Sequence, residues 1–168
     1  MGNNNSTIKT IPIPITIHDI KIKKEEKKIY PDVSTNLLEQ LKVNNEIYLQ
    51  QTKEKEQEII LLKSIISTQI QSKIVQIVQN DIIEFSKNGK IETIYELTES
   101  KNNIFGITNN DMEVRYEFTI IYDDVIDTRI ILTEEDIKTK IPKLIIDHFT
   151  NQKLNVEYND NKIKIKWN

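Results

Sequence analysis

TNLLEQLKVNNEIYLQQTKEKEQEIILLKSIISTQIQSKIVQIVQNDIIEFSK, residues 35–87, contains neither proline nor glycine. Those two residues interrupt helices most strongly, so their absence predicts one long helix or two stacked ones. Ser34, Thr35 or Asn36 can cap its start, and Asn88-Gly89 supplies a stop. Leu37, Leu38, Leu41, Ile47 and Tyr48 give the first half an apolar side. The centre, Gln50 to Glu58, is polar. It reads as a solvated helix or a break, and the lack of breakers favours continuity.

The second half carries the stronger pattern. Ile59, Leu62, Ile66, Ile70, Ile74 and Ile77 follow one another at helical steps, and Asp81 falls on the same stripe. Ile60, Leu61, Ile65, Val75, Val78, Ile82, Ile83 and Phe85 widen the stripe beyond a two-stranded coiled-coil seam. The expectation is a helix that packs on its own head and also assembles with another helix through the six named residues. The alternative is a core helix whose stripe is interior.

Working outward, residues 89–168 predict a small α+β head. Imperfect alternation from Lys90 to Leu97, a short run Ile104–Ile107, a clear strand Val114–Tyr122 and a return strand Val125–Leu132 suggest an antiparallel meander of up to four strands. Thr133 followed by Glu134, Glu135 and Asp136 is a helix start with an acid three residues after the cap. Ile137, Ile141, Leu144, Ile145 and Phe149 mark that helix's buried side, and Pro142 inside the pattern predicts a kink or a delayed start. Leu154, Val156 and Tyr158 against Ile163, Ile165 and Trp167 form a C-terminal hairpin, with Glu157 opposite Lys164. Trp167, the single tryptophan, is expected to cover the sheet, with an exposed partner anchor as the alternative. The fold class is therefore α+β: a long N-terminal helix or coiled coil, then a meander, one packing helix and a hairpin. Three regions follow: an arm 1–34, a helical stalk 35–88 and the head 89–168.

The arm begins Met1-Gly2-Asn3-Asn4-Asn5-Ser6, which fits the N-myristoylation pattern at Gly2. A single acyl chain binds membranes only marginally, so a second signal is needed. Lys21, Lys23, Lys24, Lys27 and Lys28 can supply a weak electrostatic one, although Glu25 and Glu26 interrupt them. Ile11, Ile13, Ile15 and Ile17 alternate with Pro12, Pro14, Thr16 and His18. That is an extended segment with no place in a sheet centre, so it reads as an edge strand of this head or of a partner.

Composition narrows the chemistry. The 168 residues include no cysteine, two histidines and three glycines, with 23 basic against 26 acidic residues. Thiolate chemistry, disulfides and a glycine-rich phosphate loop are excluded, and the net charge of -3 disfavours a strongly basic nucleic-acid-binding domain. Lys162, Lys164 and Lys166 line one strand face, a minor nucleic-acid or anionic-surface reading diluted by Glu157 and Asp160. Asp123, Asp124 and Asp127 are the densest acids but lack the spacing and glycine of a calcium loop. His18 and His148 have no constellation around them. No cofactor, metal or enzymatic activity is expected, and no apolar run reaches the length of a bilayer span. The reading is a non-enzymatic structural or adaptor protein, cytoplasmic, attached peripherally to a membrane through its arm. The alternative is a soluble subunit of a larger complex with no lipid, and a weak nucleic-acid or small-ligand binding module is a lesser one.

Overall fold

A computed structural model describes residues 8–17, 36–98, 105–122 and 132–167. Gly2, the lysines from Lys21 to Lys28, His18, the acids at 123, 124 and 127, and the return strand over 125–131 lie outside the described residues.

The proline-free stretch is one unbroken helix, α1 (Leu37–Lys87), about 77 Å long at 1.5 Å per residue. Asn36 caps it, its side-chain oxygen accepting from the Leu38 backbone N–H at 2.8 Å. The polar centre stays helical, where Gln50 donates to Glu54 one turn on. At the far end Gly89 adopts φ 77°, and the N–H groups of Gly89 and Lys90 close on the carbonyls of Ser86 and Phe85. A side chain is disfavoured at that left-handed position, which is why glycine ends the helix.

Among the described residues six strands form one sheet: β1 (Lys9–Ile17), β2 (Glu92–Thr98), β3 (Phe105–Asn109), β4 (Val114–Tyr122), β5 (Asn155–Asn159) and β6 (Lys162–Lys166), in the order β1-β4-β3-β2-β6-β5. The sequence reading treats meander and hairpin as successive pieces. In the structure they are one sheet, because β6 returns to pair with β2. The hairpin register opposes Val156 to Ile165, Tyr158 to Ile163 and Glu157 to Lys164, as expected. Asp160 and Asn161 both take positive φ, 50° and 61°, the two-residue turn whose twist matches paired strands.

The arm's isoleucine–proline segment is β1, an edge strand of this chain's own sheet, and it pairs parallel to β4. Lys9 donates its N–H to Glu113 at 3.0 Å, so odd-numbered residues of β1 point their main-chain groups inward. Pro12 and Pro14 occupy the outward positions, where a missing N–H costs the ladder nothing and blunts the free edge.

The second helix begins with the expected capping box. Thr133 and Asp136 bond reciprocally: the Asp136 N–H donates to the Thr133 hydroxyl at 3.2 Å, and Thr133 N–H and O–H donate to the Asp136 carboxylate at 2.9 and 2.7 Å. Burial pushes the Asp136 pKa up, but hydrogen bonds from Lys140 and Thr133 more than reverse this and hold it at about 2. A π-helical turn, Asp136–Lys140, then leads into α2 (Ile141–Asn151). Pro142 is the physical reason for the irregular turn, since it cannot donate to the Lys138 carbonyl one turn back. The Tyr158 hydroxyl donates to that carbonyl instead, at 3.1 Å. Tyr158→Phe is expected to cost about 1 kcal/mol, read as a lower midpoint in urea with unchanged slope.

α1 and α2 cover one face of the sheet. Their common core contains Leu62, Ile66, Ile70, Ile74 and Val78 of α1, Ile141, Ile145 and Phe149 of α2, and Tyr95, Phe105, Ile107, Phe118, Ile163 and Ile165 of the sheet. The opposite face is polar, with Lys164 paired to Glu92 at 2.8 Å, Lys166 to Glu157 at 2.7 Å and Arg115 to Glu117 at 3.1 Å. Glu157 thus pairs diagonally with Lys166, while Lys164, directly opposite it, turns to β2.

Candidate functional site

The most unusual chemistry lies in the seam between α1 and the sheet. Asp81 sits on the apolar stripe of α1 and is 5% exposed. Its Oδ2 accepts from the Tyr95 hydroxyl at 2.7 Å and from the Asn109 amide at 2.9 Å, and its Oδ1 faces the Tyr116 hydroxyl at 3.4 Å. Asn109, fully buried, is itself oriented: its oxygen accepts from the Asp111 N–H at 3.0 Å and from the Thr93 hydroxyl at 3.5 Å. Each strand of the central meander thus sends a donor to one carboxylate: Tyr95 from β2, Asn109 from β3 and Tyr116 from β4.

No lysine, arginine or histidine forms an ion pair with Asp81 among the described residues. Desolvation raises its pKa, the three hydrogen bonds oppose that rise, and the nearby Glu84 charge adds to it. Burial and the Asp81 charge in turn push both tyrosines up, Tyr116 to about 12. Both phenols are therefore donors held protonated at neutral pH. The arrangement holds one buried carboxyl group among neutral donors.

A cleft of about 470 Å³ lies elsewhere, between α1 and α2. Lys63 and Ser67 form one wall, and Lys143, Leu144 and Asp147 the other. Leu132, Asp136 and Lys140 complete its lining, which mixes both charges and shares no residue with the Asp81 network. Among the described residues no group of three histidines or acids converges to hold a metal, and no helix is long and apolar enough to cross a membrane.

The six helix residues expected to mediate assembly do not share one environment. Leu62, Ile66, Ile70 and Ile74 are fully enclosed in this chain's own core. Ile59 and Ile77 are half-buried, Ile77 packed against the same core. The exposed large apolar side chains of α1 are Leu37, Leu38, Leu41, Tyr48 and Leu49 in its leading half, Ile60 and Leu61 just ahead of the first buried position at Leu62, and Ile83 near its end. Trp167 is half-buried against the core, its backbone N–H donating to Ile91 at 2.9 Å while its enclosed indole Nε1 has no hydrogen-bond partner among the described residues. The Asp81 network escapes a reading by composition, but one signal points to it: an acid on an isoleucine stripe.

The fold defines a two-layer α+β protein with one overlong helix. Neither a protein-family model, nor a curated protein, nor a solved structure gives a match to the chain.

Proposed function

We propose that this chain is a non-enzymatic adaptor that assembles with itself or with a partner helix through the leading half of α1, while its arm tethers it to a membrane. One observation carries the assembly reading. At about 100° per residue, Leu37, Leu41 and Tyr48 fall within roughly 40° of arc, in line with Leu62 and Ile66 further along. The face that the sheet and α2 cover from Leu62 onward is continued, uncovered, by side chains 71%, 56% and 66% exposed. Leu38 and Leu49 broaden it. A helix of this kind gains most of its stability from packing an apolar face against something else.

Leu41→Asp combined with Tyr48→Asp tests the reading, because neither residue belongs to the core. Sedimentation of the unsubstituted chain should give a mass above the 19.8 kDa monomer, and the double variant should sediment at the monomer mass with an unchanged circular dichroism spectrum. An unsubstituted chain that is monomeric, and that retains no partner through this face, overturns it. For the tether, the motivating feature is Gly2 with Ser6, supported by the lysines from Lys21 to Lys28. Intact mass of protein from its own cells should show loss of Met1 and gain of a myristoyl group. An unmodified glycine removes the tether and leaves a soluble complex subunit.

A further inference from the structure

The apolar stripe of α1 is too uniform to fix where the helix sits. Leu62, Ile66, Ile70, Ile74 and Val78 are all fully buried, all aliphatic and all four residues apart. A displacement of α1 by four residues toward its C-terminal end moves it about 6 Å and turns it by about 40°. Leu62 then takes the site of Ile66, and each isoleucine takes that of the next. Glu58, half-exposed at the rim, takes the site of Leu62. Asp81 takes that of Phe85, beneath Lys90, whose ammonium now lies 4.6 Å from the phenyl ring. The turn over residues 84–87 is available to unwind and keep the connection to β2. The reverse displacement is barred, because it brings Gly89, beyond the helix end, into the site of Phe85.

Two buried sites resist the forward step: that of Leu62, which would receive Glu58, and that of Asp81. Ile77 would replace Asp81, and the Tyr95 hydroxyl and Asn109 amide, both on fully buried residues, would lose their acceptor. Unpaired buried donors are among the costliest defects a core can carry. A buried polar group that selects one register among similar apolar packings is an attested use of such groups.

We infer that Asp81, gripped by Tyr95, Asn109 and Tyr116, is the register pin of α1. It sets which residues of the stripe meet the sheet, and so how far the leading half of the helix reaches beyond it. The inference rests on the packing described here and is independent of what the leading half binds.

The absence of cysteine allows spin labels to be placed at will, at Glu56→Cys on α1 and Asn159→Cys at the hairpin, both exposed positions. Electron–electron distance measurement on the full chain, carrying Glu58→Leu throughout so that the site of Leu62 accepts its new occupant, should give a single distance, kept by Asp81→Asn, which retains an acceptor oxygen. Asp81→Leu should add a second population displaced by up to about 6 Å. The decisive variant moves the pin: Ile77→Asp with Asp81→Ile should show only the displaced distance, because that register alone returns a carboxylate to the three donors. A swapped variant that folds at the native distance overturns the inference. So does a swapped variant that fails to fold while Asp81→Leu folds at the native distance alone. If Asp81→Leu does not fold, the swapped variant decides: a displaced distance supports the pin, and the native distance or loss of fold overturns it.

Discussion

Replacing Ile66 and Ile74 together with aspartate is expected to unfold the head. Both side chains are fully enclosed between α1, α2 and the sheet. No described lysine or arginine belongs to that cluster, so either new carboxylate would be buried without a counter-charge. Each such burial costs several kcal/mol, and the pair should approach or exceed the roughly 5–15 kcal/mol that holds a typical domain together. The expected record is loss of the cooperative thermal transition and of the near-ultraviolet dichroism of the buried aromatics. A folded monomer from this variant would show that these residues face a partner rather than the sheet. The contrast with Leu41→Asp and Tyr48→Asp, where the fold should survive, separates the two halves of one helix.

Tyr95→Phe is the second large effect. Its hydroxyl makes the shortest bond to Asp81, at 2.7 Å, and the acceptor is a buried carboxyl group with no cation paired to it among the described residues. Hydrogen bonds to charged groups contribute about 1.5–3 kcal/mol, so a loss near 2 kcal/mol is expected at neutral pH. The pH dependence has a definite sign. The Asp81 pKa is raised in the folded protein, so the folded state binds its proton more tightly than the unfolded chain does. Asp81's own contribution is therefore fully present below the ordinary aspartate pKa and is lost as pH rises through the folded value. Removing the Tyr95 donor raises that value further, so the difference between variant and parent should shrink on acidification. Urea unfolding of both proteins across the acid range measures it. A constant difference would mean that the hydroxyl acts through packing and not through the carboxylate.

The parts of this fold that are legible in the sequence are those fixed by local chemistry. The continuity of α1 follows from the missing breakers, the capping box from Thr133 and Asp136, and the hairpin register from alternation. The edge position of β1 follows from its two prolines. What the sequence conceals is set by contacts between distant segments. Nothing in Lys9–Ile17 specifies a parallel neighbour, and nothing in Lys162–Lys166 specifies β2. A stripe of isoleucine does not say whether it will meet its own sheet or another helix, because both surfaces are equally apolar. The Asp81 site is hidden for a different reason. Its donors come from three strands, and Tyr95 and Tyr116 look like ordinary members of alternating strand patterns until the sheet aligns them.

The two borders of the sheet also differ in a way that limits what the molecule can build. At β1, Pro12 and Pro14 leave gaps in the outward row of donors, whereas β5 presents Val156 and Tyr158 with their outward main-chain groups intact. Fibrous growth by strand addition needs two receptive borders on every unit, one to accept and one to offer. A unit closed on one side can join a neighbour across its open side, and there the chain of additions ends. The two prolines thus act as a terminator against strand-by-strand polymer growth at β1.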